Sequence, residues 1–345
     1  MKNIVIVGAG WYGLHIFLHI RKKYKNLNLL ILERNNDIFE GSSTYNQNRL
    51  HLGYHYPRSH KTRELCKSGY LKFMKEYQQV VDVIDENYYC ISEDSNIDYE
   101  TFLKIFKDDR MYDHNIVSND FLNKMDGDLI NTSEKIINSK KSKKYFKDVI
   151  DDKFIRYNYN VVDVKKKGEK IIINDDISCD LLIDCTYNNL QIQPDCIFEL
   201  TISLLYQKIG DNVKFDSLTV MDGEFFSLFP RDISENKYSL THVKYTPIIK
   251  SENIQDIRDY KVDDNLVLET KNNMERCVIE CYSNFLKDFK FFGYFLSYKC
   301  KTKSNSDLRD CNIYQKDNII SVNCGKIIGI FEFENYIDEY MGNKL

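Results

Sequence analysis

The chain has 345 residues, 43% of them hydrophobic and 29% charged, with a net charge of −4. That length can bury a full core and suits two interlocked domains. The slight acidity argues against a broad basic face for nucleic acid or anionic lipid, so neither is expected as a partner.

The opening run MKNIVIVGAG is apolar but stops at glycine, and it does not read as a secretory leader. No stretch approaches the ~20 apolar residues of a membrane span, so no membrane insertion is expected. Residues 3–7 read instead as a parallel strand buried on both faces. A helix follows over about 11–24, closing on Arg21, Lys22 and Lys23, whose charges suit the negative end of its dipole. Residues 28–33 form a second buried strand. Strand, turn, helix and strand within 33 residues make one βαβ unit.

Residues 40–60 turn polar and aromatic and read as a loop. The pattern then predicts a helix over 60–79 and a strand over 86–92. Residues 98–146 are charged and weakly patterned, with a helix near 99–107. Three apolar runs follow at 154–164, 170–173 and 181–185, with a hairpin-like turn at Lys165–Gly168. Residues 198–245 alternate as antiparallel strands do. An amphipathic helix is expected over 272–289. The chain closes with a strand at 318–323, a glycine turn and a helix from about 326 to 340. Ten cysteines are scattered without a CxxC pair, which disfavours a zinc ribbon or a redox dithiol. They fit a reducing, cytoplasmic compartment.

The most specific signal is Gly8-Ala9-Gly10-Trp11-Tyr12-Gly13, a GxGxxG string between a buried strand and a helix. Gly8 permits the tight turn. Gly10 lets backbone amides approach a pyrophosphate, and Gly13 lets helix and strand pack closely. The helix start offers bare N–H groups and partial positive charge. Glu33, 20 residues beyond Gly13 and followed by Arg34, is placed to accept from a ribose. NAD and FAD share this motif, and two features favour FAD. The segment 154–185, which includes Val162 and runs on to Thr186, reads as a β-meander and return strand. The C-terminal helix start at Gly325, Lys326 and Ile327 aims positive potential at a flavin ring. The expected fold is therefore α/β. A Rossmann-like FAD-binding domain (1–85, 145–192 and 305–345) is interleaved with a mixed, largely antiparallel-sheet substrate domain (86–144 and 193–304).

The sequence also resembles the D-amino-acid oxidase-like family of FAD-dependent oxidoreductases, the group of glycine oxidase and L-2-hydroxyglutarate oxidase. The resemblance rests on Gly8–Gly13 with Glu33, on residues 42–58 (SSTYNQNRLHLGYHYPR), and on Ser321–Phe331. The string NQxRxHxGYHYPR, with Phe225–Arg231, Ser239–Pro247 and Asp307-Leu308-Arg309, resembles a bacterial and viral subgroup of such proteins. The resemblance implies that the small-polar stretch with Ser42, Ser43 and Asn46 passes the flavin pyrophosphate, and that His51 and Gly53 reach the ring face. Two features depart from the family. Gly325–Gly329 only partly replaces a Gly-x-x-Gly-x-Thr run, and Thr186-Tyr187-Asn188 lacks the commoner Ala-Thr-Gly.

Flavin oxidation of an amine or alcohol needs positioning, a proton acceptor and a cation for an anionic substrate. His51 is the first candidate base, or else only a hydrogen-bonding partner of cofactor or backbone. His55 is the second. Arg49 and Arg58 each suit flavin phosphate or a substrate anion, and Arg309 suits the cofactor. Arg231 is a candidate catalytic cation. Tyr54, Tyr56, His242 and Lys244 are candidate substrate contacts, if the face carrying His242 and Lys244 lines the pocket rather than solvent. The expected reaction is hydride transfer from a small amine, amino acid, hydroxy acid or sugar-linked donor, with the electron acceptor open. The alternatives are a redox-neutral flavoenzyme such as a sugar-nucleotide mutase, and a non-catalytic FAD-binding protein.

Overall fold

A computed structural model of the protein describes residues 2–107, 112, 114–303 and 311–344. Strand β1 (Lys2–Val7), helix α1 (Trp11–Lys23) and strand β2 (Leu27–Leu32) follow the order read from the sequence. β1 lies at the centre of a six-stranded sheet, parallel to β2 on one side and to the strand Leu181–Asp184 on the other. Ile155–Arg156 extends one edge, and Ile319–Asn323 followed by Asn312–Lys316 extends the other. Only the last pair is antiparallel.

The alternation along β1 explains its unbroken apolar run. Ile4 and Ile6 enter one core with Leu14, Phe17 and Ile20 of α1 and with Ile330, Phe333 and Ile337 of the C-terminal helix. Val5 and Val7 enter another, beneath the meander of Val164–Lys167, Lys170–Ile173 and Ile177–Cys179. A strand covered on both faces needs apolar residues at every position. Ile6 is wholly buried, so truncation to alanine there removes about 2–5 kcal/mol.

The second sheet is mainly antiparallel. From one edge its strands run Pro247–Ser251, Cys196–Lys208, Lys237–His242, Phe226–Asp232, Ser217–Met221, Asn87–Ser92, Met125–Thr132 and His114–Val117. Ser217–Met221 and Asn87–Ser92 pair in parallel. The long strand Phe289–Thr302 pairs with Cys196–Lys208. The helix Asp264–Cys281 lays Val267, Met274 and Val278 into the core beside Leu204, Leu218 and Leu240.

Several elements differ from expectation for local reasons. The run 154–164 is not one strand. It breaks at Asn158, whose φ is +53°, and resumes at Val164. The helix expected from 272 starts at Asp264, because the Asp263 carboxylate caps it by accepting from Leu266 N at 2.8 Å. It ends at Cys281, and a short helix, Phe285–Asp288, leads into the long strand. The weakly patterned region holds the expected helix, Tyr99–Lys107. It also holds the strands His114–Val117 and Met125–Thr132 and the helix Ser139–Val149. Met125–Thr132 is half exposed, which blurs its alternation. Among the described residues no helix is long and apolar enough to cross a membrane. All ten cysteines are free thiols.

Candidate active site

The turn between β1 and α1 is shaped by contacts that exclude side chains. A Cβ on Gly13 would fall 1.9 Å from the Gly8 carbonyl oxygen, and one on Gly8 would fall 2.9 Å from that of Cys185. Gly8 also holds φ at +101°. At Gly10 a Cβ would enter the space before the helix, 2.7 Å from Ser43 Oγ. Gly10 caps α1 with no side-chain hydrogen bond of its own. The Trp11 amide donates instead to Ser43 Oγ at 2.9 Å. The loop after β2 therefore presents a small hydroxyl to the helix amides, where an anion is favoured.

Glu33 is buried at the end of β2. Its carboxylate accepts from Ala9 N at 2.8 Å and from both Asn35 N and Asn35 Nδ2 at 2.9 Å. A carboxylate offers about four lone-pair sites, so about one remains for a ribose hydroxyl. The cradle and its acid thus fit a dinucleotide such as FAD. Gly8, Gly10, Gly13, Ser43 and Glu33 are the residues that would hold it.

The other expected cofactor residues fall into two groups. Tyr12 donates to the Lys326 carbonyl at 2.6 Å, which ties the helix start to the C-terminal segment. Thr186 donates through N and Oγ1 to buried Asp184, and burial raises the pKa of that carboxyl. Ser42 donates to the Tyr298 carbonyl, and Asn46 bonds back to Ser42. By contrast, Trp11 contributes only its backbone. Its ring packs among Phe39, Phe73, Tyr77 and Phe146. Arg34 is exposed. Val162 is 76% exposed, while Val161 takes the buried position. Gly325 is exposed, Lys326 is buried, and Ile327 begins a short 3₁₀ turn. Arg309 lies outside the described residues.

Arg49 is corrected most sharply. Its guanidinium is buried and stacks 3.9 Å from the Phe229 ring centroid. It donates to Tyr89 OH, Thr219 Oγ1 and Ser227 Oγ at 2.8–2.9 Å, and it pairs with Glu134 at 3.4 Å. That fork serves the protein core, not a phosphate. Tyr54 is also core. It is wholly buried against Tyr89, Phe106 and Tyr112 and presents no surface to a substrate. Arg231 donates to the Asn46 and Thr44 carbonyls at 2.7 and 3.1 Å, so it pins the small-polar loop. Arg58 pairs with Asp222 at 2.6 Å. Lys244 faces solvent, paired with Glu224 at 3.1 Å, and its backbone amide donates to buried His242. The solvent-facing alternative therefore holds for Lys244.

Four expected residues do converge. The His51 and His55 rings meet edge to face, 4.9 Å between centroids. Tyr56 lies 5.8 Å from His51 and 6.1 Å from His55. Lys326 Nζ sits 4.2 Å from the Tyr56 ring centroid, a cation over an aromatic face. The Tyr12 bond to Lys326 makes this cluster continuous with the glycine cradle.

Two residues that the sequence did not single out complete the cluster. Glu134 is wholly buried. One oxygen accepts from Leu52 N at 2.7 Å and Gly53 N at 3.1 Å. The other accepts from Tyr89 OH at 2.5 Å. Burial alone would raise its pKa, but His51, Arg49 and His55 together hold it well below the ordinary carboxylate range. Tyr89 OH also lies 2.6 Å from His55 Nδ1. His51 Nδ1 is 3.8 Å from Glu134, too long for a hydrogen bond. Burial lowers the His51 pKa, against the pull of Glu134. The only sequence signal for Glu134 is indirect, since a buried arginine demands a counter-charge. Nothing in the sequence says which acid answers. One ligand atom from each of His51, His55 and Glu134 lies within 4.8 Å of the other two, yet the Glu134 lone pairs already face protein donors.

No protein-family profile matches the sequence. The chain is 24% identical over 334 residues to the FAD-dependent monooxygenase FPY4 of Fusarium mangiferae, across 95% of this chain and 88% of that one. Its structure is similar to glycine oxidase from Geobacillus kaustophilus, with a TM-score of 0.71 at 8% identity, covering 100% of this chain and 96% of that one. It is also similar to the L-α-glycerophosphate oxidase of Mycoplasma pneumoniae with FAD bound, with a TM-score of 0.71 at 11% identity, covering 96% and 92%. The mixed α/β fold is that of FAD-dependent oxidoreductases, as the sequence predicted.

Proposed function

We propose that the protein is an FAD-dependent oxidoreductase that oxidises a small amine, amino acid, hydroxy acid or sugar-linked donor. The observation that carries this reading is the continuity of the site. The Tyr12–Lys326 hydrogen bond, the Lys326 cation over the Tyr56 ring and the Tyr56 contacts with His51 and His55 join the glycine cradle to the histidine pair. The overall likeness to FPY4, named as FAD-dependent, supports the cofactor.

Bound FAD would supply a two-electron acceptor for the donor's hydride. The chain's own residues do the rest. Amides at the start of α1 and Ser43 would hold the pyrophosphate, and Glu33 would accept from the adenosine ribose. Arg231 fixes the loop that carries Asn46 toward the cradle. Lys326 and Tyr56 bring positive charge and an aromatic face to the donor side. One member of the histidine pair takes the N–H or O–H proton, a task suited to imidazole near neutral pH. Residues 1–85, 145–192 and 305–345 form the cofactor half in this reading, and the remainder shapes the donor pocket.

The test is direct. Purified protein should be yellow, release FAD on denaturation, and bleach under an amine, hydroxy-acid or sugar-linked donor. A colourless protein with no releasable FAD overturns the reading. Re-oxidation by oxygen, compared with an artificial dye, identifies the electron acceptor.

A further inference from the structure

We infer that Glu134 and Tyr89 fix His55 in its Nδ1–H tautomer, which makes His55 Nε2, and not His51, the proton acceptor of the site. The source of the proton rests on the function proposed above. The tautomer rests on the hydrogen-bond geometry and on the ionised Glu134 carboxylate beside Arg49.

Tyr89 has one hydroxyl hydrogen and three polar neighbours. Arg49 NH1 at 2.9 Å can only donate to it. Glu134 Oε2 at 2.5 Å belongs to a carboxylate that also takes the Leu52 and Gly53 amides. That carboxylate is ionised and can only accept, so the Tyr89 hydrogen points to Glu134. The third neighbour, His55 Nδ1 at 2.6 Å, must then be the donor to the Tyr89 oxygen. In neutral imidazole a proton on Nδ1 leaves the lone pair on Nε2. His51 Nδ1, by contrast, is buried with no hydrogen-bond partner among the described residues, so nothing of this kind places its proton there.

The consequence is a carboxylate–tyrosine–histidine chain. The donor's N–H or O–H bond breaks, its electron pair stays on the heteroatom, and the proton goes to His55 Nε2. Bound FAD would take the donor's hydride, and the electron pair left on the heteroatom would then close the C=N or C=O bond. The imidazolium keeps its Nδ1–H on Tyr89, with the Glu134 charge one hydrogen bond further. Glu134 and Tyr89 are positioning residues. Among the described residues, the titratable and charged groups that face His55 include His51 and Tyr56 on its own loop, Tyr89, and then Glu134 and Arg49 behind it. Lys326 lies over Tyr56.

The experiment is two-bond ¹H–¹⁵N correlation on ¹⁵N-histidine-labelled holoprotein, with His55 assigned through His55→Gln. The expected spectrum of the neutral imidazole has a protonated Nδ1 and a pyridine-like Nε2. An Nε2–H tautomer, or fast averaging of the two, overturns the proposal, and the spectrum that decides it is that of the unmutated holoprotein. Tyr89→Phe should release the tautomer to a mixture and move the acid limb of the flavin-reduction profile to lower pH. An unmoved tautomer and limb would count against it. His55→Ala should slow flavin reduction about 100-fold, with partial rescue by added imidazole. Unchanged reduction in that variant overturns this assignment while leaving the proposed function standing. If no donor ever bleaches the flavin, the proposed function fails, and the spectrum still decides the tautomer.

Discussion

The glycine cradle and the histidine cluster are joined by one hydrogen bond but built by opposite means. The cradle is local. Its glycines and its acid lie within the first 33 residues, with Ser43 ten residues beyond, and its chemistry lies mainly in backbone amides that side chains would block. The cluster is assembled from afar. His51 and His55 come from the loop, Tyr89 from a strand of the second sheet, Glu134 from the connection beyond Met125–Thr132, and Lys326 from near the C-terminus. Its chemistry lies in side chains with shared protons. A backbone site tolerates no added atom, whereas a side-chain network tolerates no missing partner.

The largest effect should come from breaking the first rule. Gly13→Val places branched carbons where a single Cβ already meets the Gly8 carbonyl at 1.9 Å. The obstacle is backbone, so either the strand–helix contact opens or the fold fails. We expect a loss of about 3 kcal/mol or more, read by urea unfolding, together with loss of bound FAD. Gly10→Ala is the control, because its obstacle is the movable Ser43 hydroxyl. That variant should fold and bind FAD more weakly. Full FAD retention in Gly13→Val would show that the cradle is not backbone-built.

Next comes a missing partner. Glu134→Ala leaves Arg49 buried beside Tyr89 without its counter-charge. Removing one member of a buried pair typically costs about 3–5 kcal/mol, and the Thr219 and Ser227 bonds that survive argue for the lower end. Urea unfolding should show that loss, and the folded fraction should still hold FAD. A variant as stable as the parent would sever Glu134 from Arg49.

This contrast also explains what was legible in the sequence. Gly8, Gly13 and Glu33 could be read because strand, helix and acid follow one another at fixed spacing. His51, His55 and Tyr56 could be read because the loop string is unusual. Arg49 was misread, since an arginine beside phosphate-type residues looks the same whether it faces a ligand or a core. Its burial depends on Phe229, Thr219 and Ser227, residues some 170–180 positions away. Tyr89 sits in an ordinary apolar strand, one of 25 tyrosines. Glu134 follows a strand whose exposed half hides its period. Tertiary proximity alone gives these two a role.

A smaller effect tests the loop between the two regions. Arg231 holds the Thr44 and Asn46 carbonyls, and its planar fork spans both. Arg231→Ala should loosen the small-polar stretch without touching the histidine pair. Charged hydrogen bonds of this kind are worth about 1.5–3 kcal/mol. We therefore expect FAD affinity to fall about tenfold, measured by fluorescence titration, with the rate at saturating FAD nearly kept. A rate collapse at full FAD occupancy would return Arg231 to the catalytic group.

The smallest effect separates the regions by pH. Burial lowers the pKa of His51 and of His242, so folding keeps both neutral where the unfolded chain would protonate them. The unfolded state then binds more protons, and stability rises with pH through that window. The contribution is complete above about pH 6.5 and is lost as pH falls toward the folded pKa values. Glu134 acts in a lower window. Its folded pKa is depressed, so its contribution is complete above about pH 4.5 and lost on further acidification. Melting temperature should thus fall in two stages as the pH is lowered from 7. His51→Gln should shrink the first stage to the part that His242 supplies, and move the second to higher pH, because His51 helps to hold the Glu134 carboxyl low. A first stage unchanged in that variant would mean that His51 titrates as an ordinary solvated histidine, and that the cluster is more open to water than its burial implies.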